Sequence, residues 1–185
     1  NAGVRHDDLE SYGKRTSLGG NAAWSLSGGN TILRTSYSEG FRAPTLTEAL
    51  LPFGNPALKA ETAKSMDAGV EQWLLDKAIM LGVTAFRRTS RNQITYDFTT
   101  FQSENVERVK ASGVEVELAV KPSSTLQLAA HYALVNARDR VRGTRLERRP
   151  QHRASVSLDW TSPFGLALGT TLVLSGDSFE NRANT

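Results

Sequence analysis

No cysteine occurs among the 185 residues. Disulfides, thiolate catalysis and cysteine-based metal sites are therefore excluded together. Histidine is scarce too: His6, His131 and His152 are the only three. No stretch approaches the roughly 18 consecutive apolar residues that a membrane helix needs. That excludes a helical span but not a membrane barrel, whose strands need apolar residues only at alternate positions. The opening Asn1-Ala2-Gly3-Val4-Arg5-His6-Asp7-Asp8 lacks the apolar core of a signal peptide. This fits either a cytosolic chain or an internal piece of a longer exported one. No nucleophile elbow and no zinc-ligand spacing appears.

What is present is alternation by twos. In 154–160, Ala154, Val156, Leu158 and Trp160 share one face, opposite Ser155, Ser157 and Asp159. In 126–134, Leu126, Leu128, Ala130, Tyr132 and Leu134 oppose Gln127, Ala129, His131 and Ala133. In 114–120, Val114, Val116, Leu118 and Val120 oppose Glu115, Glu117 and Ala119. Leu166, Leu168, Leu172 and Leu174 repeat the pattern, as do Leu18, Ala22, Trp24 and Leu26. Such strands are apolar on one face only. About nine are predicted, near 1–7, 15–27, 30–39, 63–75, 78–90, 106–120, 125–137, 151–161 and 165–177.

Short turns rich in turn formers fall at Ser27–Asn30, Asp76-Lys77, Lys121–Ser124 and Ser162–Gly165. Long polar connections lie between them, at 39–62, 89–105 and 136–150. Short turns alternating with long loops are the layout of an outer-membrane barrel. Tyr37, Phe41, Trp73, Tyr132, Trp160 and Phe164 stand near strand ends, where they suit interfacial girdles or serve as ordinary strand aromatics.

Specific motifs carry a family resemblance. Gly40-Phe41-Arg42-Ala43-Pro44 ends one strand, and Asn55-Pro56-Ala57-Leu58-Lys59-Ala60-Glu61 leads into the next. Gly3–Asp8 precedes these motifs, and Ser65–Glu71, Val109–Glu117 and the hairpin from Tyr132 to Arg149-Pro150-Gln151-His152 follow in order. Together they resemble the barrel of TonB-dependent outer-membrane receptors, and in particular the cobalamin and siderophore branch. Asp67 stands where glutamate is usual. The resemblance implies an all-β fold: an antiparallel up-and-down transmembrane β-barrel segment with long extracellular loops and short periplasmic turns. It assigns the polar face to the lumen. It implies uptake of a metal chelate such as a ferric siderophore or cobalamin, in the cell outer membrane, with no catalysis and no cofactor. The implied partners are outer-membrane lipid and lipopolysaccharide, the small chelate, and the TonB complex acting through a plug. Nucleic acid is not among them.

Such barrels have about 22 strands, so residues 1–185 are expected to form a partial barrel domain without the plug and the terminal strands. This segment is not expected to insert or transport by itself. Haem importers of the family carry a ligand histidine between the Phe-Arg-Ala-Pro and Asn-Pro-x-Leu motifs; this loop has none.

Phe41, Arg42, Pro44, Asn55, Pro56, Tyr96 and Phe98 are candidates for a ligand vestibule, or for the structural anchoring of their loops. Thr45–Leu51 is predicted as a short helix, with Thr45 as cap and Glu48 at the capping-box position. Arg138, Arg140, Arg142, Arg145, Arg148 and Arg149 crowd one loop. Guanidinium forks bind carboxylate and phosphate, so this loop is read as an attractor for an anionic chelate, a lipopolysaccharide contact, or simply a solvated surface. His6, Asp7, Asp8 and Glu10 offer a weak cation cluster at a strand end. Two other classes remain: a soluble all-β carbohydrate-binding-like domain, and an outer-membrane barrel enzyme using a pair such as Glu115 and Glu117.

Overall fold

The computed structural model describes residues 1–52 and 54–180, apart from the side chain of Glu107. Nine strands form one antiparallel sheet in chain order. They are β1 (Ala2–Leu9), β2 (Gly13–Leu26), β3 (Thr31–Arg42), β4 (Glu61–Leu74), β5 (Ile79–Asp97), β6 (Gln102–Ser123), β7 (Leu126–Asp139), β8 (His152–Thr161) and β9 (Ala167–Ser175). A short α-helix, α1 (Leu46–Ala49), interrupts the β3–β4 connection.

Residues directly opposite in an antiparallel ladder share a face, so the register assigns every side. Leu33, Val70, Val83, Val116, Tyr132, Ala154 and Leu174 lie in one cross-strand row. The next row towards the short turns holds Gln72, Leu81, Leu118, Ala130, Val156 and Leu172. The reverse face carries Glu71, Gly82, Glu117, His131 and Ser155 in register. The two-residue alternation read from the sequence thus becomes two continuous faces, one apolar and one polar.

No second layer of described residues covers the apolar face. Among the described residues no large side chain is fully buried, and Trp24 (68%), Leu172 (59%) and Leu168 (56%) stand open. A soluble sandwich would need a second sheet packed there, and the described residues provide none. An apolar surface of this extent demands a cover of its own, such as lipid or another protein.

Three expectations need correction. The 89–105 stretch is not a long loop: β5 runs to Asp97 and β6 begins at Gln102. The residues there still pair, from Gln93↔Val106 to Asp97↔Gln102, in the register that Arg91↔Arg108 sets, and Asn92 takes a positive φ of 54°. Connections on the loop rim are also uneven. Residues 10–12 and 98–101 are short, whereas 43–60 and 140–151 are long. Trp73 takes the polar face and donates its indole N–H to Glu71 at 2.6 Å. It therefore cannot join an aromatic girdle on the apolar face.

Candidate functional site

The two long connections and the extended β5–β6 hairpin meet at the loop rim. The 43–60 connection is held there by a small set of side chains. Thr45 and Glu48 form the predicted capping box around α1. Arg42, the last residue of β3, donates to Glu48 at 2.8 Å and to Glu61, the first residue of β4, at 2.8 Å. Hydrogen bonds from Arg42 hold the Glu48 carboxyl below the usual carboxylate range; the Thr45 donors add to this, and partial burial opposes it. Glu61 also accepts from the Ile94 N–H at 2.6 Å, which ties the loop base to β5.

The Asn-Pro-x-Leu segment has an equally local logic. The Asn55 side chain accepts from the Ala57 N–H at 2.9 Å and donates to the Ser103 carbonyl at 3.1 Å. Leu58 is buried at the base of the loop. Asn105 accepts from the Lys59 N–H and donates back to the Lys59 carbonyl. These motifs dock the loop against β6.

Above the polar face this packing leaves a depression of about 390 Å³, lined by Arg42, Glu61, Arg88, Gln93, Leu146 and Arg149 among others. That size suits a small ligand. Three guanidiniums face it against one carboxylate. Arg42 is committed to its two glutamates, whereas Arg88 makes only a long bond to Ser90, at 3.4 Å. Arg149 makes no side-chain ion pair or hydrogen bond among the described residues. The surplus positive charge at this opening is therefore borne by Arg88 and Arg149.

The structure distributes the sequence candidates. Phe41, Arg42 and Arg149 line the depression. Asn55 anchors the loop, with Pro56 exposed beside it. Pro44 precedes the α1 cap. Tyr96 and Phe98 pack edge to face at 5.0 Å, and Arg148 lies over the Phe98 ring at 4.5 Å. Arg145 lies 5.9 Å from the Phe179 ring centroid. Arg142 stands 4.0 Å from Glu104. Arg138 pairs across from Lys110 in the ladder, and the Arg140 N–H bonds the Arg108 carbonyl. The arginine-rich stretch is therefore not one patch.

The cation cluster does not assemble. Asp7 binds Arg5, Asp8 binds Lys14, and His6 bonds Thr16. Among the described residues no group of three or more His, Asp or Glu side chains is placed to hold a metal. Arg88, Gln93 and Asn105 were not among the vestibule candidates read from the sequence. Arg88 was accessible through parity, since it alternates with Phe86 and Ser90 on the polar face; Asn105 had no local signal.

Comparison with known proteins agrees with this architecture. The profile of the family described as TonB dependent receptor-like, beta-barrel, matches residues 1–185. A variant of the ferric enterobactin receptor from Pseudomonas aeruginosa, solved with enterobactin, superposes with a TM-score of 0.80 at 21% identity, over 100% of this chain and 33% of that one. The siderophore receptor PirA from Pseudomonas aeruginosa gives 0.77 at 24% identity, over 95% and 33%. The copper transporter OprC gives 0.71 at 15% identity, over 88% and 27%. The chain thus spans about a third of the length of these two siderophore receptors. With the family profile covering every residue, this chain belongs to the TonB-dependent receptor β-barrel family.

Proposed function

We propose that this chain forms part of the wall and outer vestibule of an outer-membrane receptor that takes up an anionic metal chelate, a ferric siderophore foremost. The observation that carries this reading is the depression above the polar face, where Arg88 and Arg149 present charge that no carboxylate among the described residues neutralises. Guanidinium groups recognise carboxylate and catecholate-type oxygens through paired N–H donors. The apolar face meets lipid and the polar face lines the lumen. The wall binds and guides; it makes and breaks no covalent bond. Energy for release comes from the TonB complex acting on a plug outside this chain.

The test uses the whole receptor that carries these residues. Equilibrium binding is measured with ferric catecholates, ferric hydroxamates and cobalamin, with and without Arg88→Ala and Arg149→Ala. Each charge-assisted contact is worth roughly 1.5–3 kcal/mol, so each substitution should weaken an anionic chelate by about tenfold or more. Unchanged binding of every anionic chelate in the double variant would overturn the assignment. So would uptake that persists in cells lacking TonB.

A further inference from the structure

The depression above the polar face has two unlike halves. Arg88, Ala111 and Ala137 lie in one cross-strand row on that face, and all three line the depression. The row crosses two strand spacings, about 10 Å. Beside Arg88 it carries only methyl groups. Val109 and Val135 flank these methyls along β6 and β7. Val109 is buried, and so is Ala137. At the end away from Arg88, the Leu146 N–H donates to the Ala137 carbonyl at 3.0 Å, which seats Leu146 as an apolar wall.

The polar lining keeps unsatisfied donors. Glu61 is already held by Arg42 and by the Ile94 N–H. Arg88 and Arg149 face no carboxylate that neutralises them, and Gln93 makes no side-chain hydrogen bond among the described residues. No group of three or more His, Asp or Glu side chains among those residues is placed to take the metal itself. At about 390 Å³ the depression is small, near the lower end of ligand sites, which run from about 300 to 1,000 Å³. A hexadentate chelate wraps its metal in three bidentate arms, and one arm is a minor part of that bulk.

We infer that the depression recognises one planar aryl arm of the chelate, and that Ala111, Ala137 and Leu146 set this specificity. The ring lies on the methyl floor between Arg88 and Leu146. Its two adjacent oxygens, shared with the metal, face Arg88 and Arg149, whose N–H forks match such a pair. The metal and the remaining arms stay outside, so the slot reads the arm and not the metal. A flexible aliphatic arm would lose rotamer freedom on being confined there, whereas a rigid ring has little to lose. A side chain longer than alanine at position 111 or 137 would occupy the place of the ring. This inference deepens the chelate reading proposed above and rests on it.

The whole receptor, purified in detergent, is titrated with a ferric tris-catecholate, with the same chelate carrying a tert-butyl group on the outer edge of each ring, and with a ferric trihydroxamate whose arms are aliphatic. Wild type should bind the plain tris-catecholate most tightly and the tert-butyl form about tenfold or more weakly, since even one methylene matters that much in a matched pocket. Ala137→Leu should weaken the plain tris-catecholate by about tenfold or more. Should that variant fail to fold, Ala111→Val carries the same test. Leu146→Ala opens the slot and should bring the tert-butyl chelate to within about threefold of the plain one. Ala129→Leu adds the same bulk to the same face of β7, well toward the short turns, and should leave every affinity within about twofold. Equal binding of the plain and tert-butyl chelates by wild type would overturn the slot, as would unchanged tris-catecholate binding in the Ala137 and Ala111 variants. A trihydroxamate weakened as much as the tris-catecholate by those variants would overturn the aryl specificity. If chelate binding still depends on Arg88 and Arg149 in any of these cases, only the slot is lost. A wild-type receptor that binds none of the chelates loses the chelate reading as well.

Discussion

Asn105 satisfies both backbone groups of Lys59 with one side chain, accepting from its N–H at 2.8 Å and donating to its carbonyl at 3.0 Å. The same amide also donates to the Asn92 carbonyl at 2.7 Å. A single side chain thus substitutes for a strand partner and fastens the 43–60 connection to the β5–β6 hairpin. Asn105→Leu removes all three bonds at similar size. Each is worth about 1 kcal/mol. The expected result is faster hydrogen exchange at the Lys59 amide and new protease cleavage within 46–57, with the sheet intact. Unchanged exchange at Lys59 would contradict the fastening role.

Arg42 joins two glutamates that are far apart in the chain, so its loss should free both ends of the same loop. Arg42→Lys keeps the charge but cannot reproduce the fork that reaches Glu48 and Glu61 together. Because Arg42 is partly exposed, the cost is about 1 kcal/mol. Limited proteolysis should rank the variants wild type, Arg42→Lys, Arg42→Ala in increasing cleavage. Equal cleavage of Lys and wild type would mean that charge alone suffices.

Acid should loosen the same loop. The folded-state pKa of Glu48 is depressed. Its contribution is therefore complete above the unfolded carboxylate value, about 4.3, and is lost as pH falls through the lower folded value. Exchange of the α1 amides should accelerate only below about pH 4.3. Glu48→Gln should flatten that dependence, and a profile unchanged by Glu48→Gln would assign the transition elsewhere.

Gly113 allows two strands and a ring to approach on the polar face. A Cβ there would overlap the Leu134 carbonyl oxygen and come within 2.7 Å of the Phe86 ring. The carbonyl belongs to the ladder and cannot step aside. Gly113→Val should sharply reduce the amount of heat-modifiable, folded receptor in the outer membrane, whereas Phe86→Leu with Gly113→Ala should recover part of it. Full recovery by Phe86→Leu alone with Gly113→Val would show that the ring, not the ladder, sets the limit.

Phe98 and Arg148 hold the 140–151 connection against the β5–β6 tip. Phe98→Ala removes both the ring packed edge to face against Tyr96 and the surface beneath the guanidinium. Such a contact is worth about 0.5–1 kcal/mol at an exposed site. Spin labels placed on the two loops should report a broader distance distribution. An unchanged distribution would mean that the Arg148 N–H bond to the Phe179 carbonyl, at 2.8 Å, is sufficient.

The strands were legible because alternation needs only side-chain polarity, and the register preserves it from Trp24↔Leu33 to Ala154↔Leu174. The capping box was legible because Thr45 and Glu48 interact across three residues. The outer half of the β5–β6 hairpin was not. Its apolar residues, Ile94, Tyr96 and Val106, are few among polar neighbours, and Asn92 takes a positive φ without being a glycine. Trp73 misled because an indole reads as apolar while its N–H sought Glu71. The arginine cluster misled for a different reason: neighbours in sequence alternate between faces in a strand and diverge further in a loop. Arg138 and Arg149 therefore serve opposite sides of one wall.

Every strand of the sheet pairs only with its neighbours in the chain. Each closure therefore spans one connection, and its entropic cost grows only slowly with that connection's length. Lengthening 43–60 or 140–151 changes the rim without shifting the register below it. The wall grows by adding hairpins, like planks laid in sequence, and each rim loop can change in length and chemistry while its neighbours and the apolar rows stay as they are.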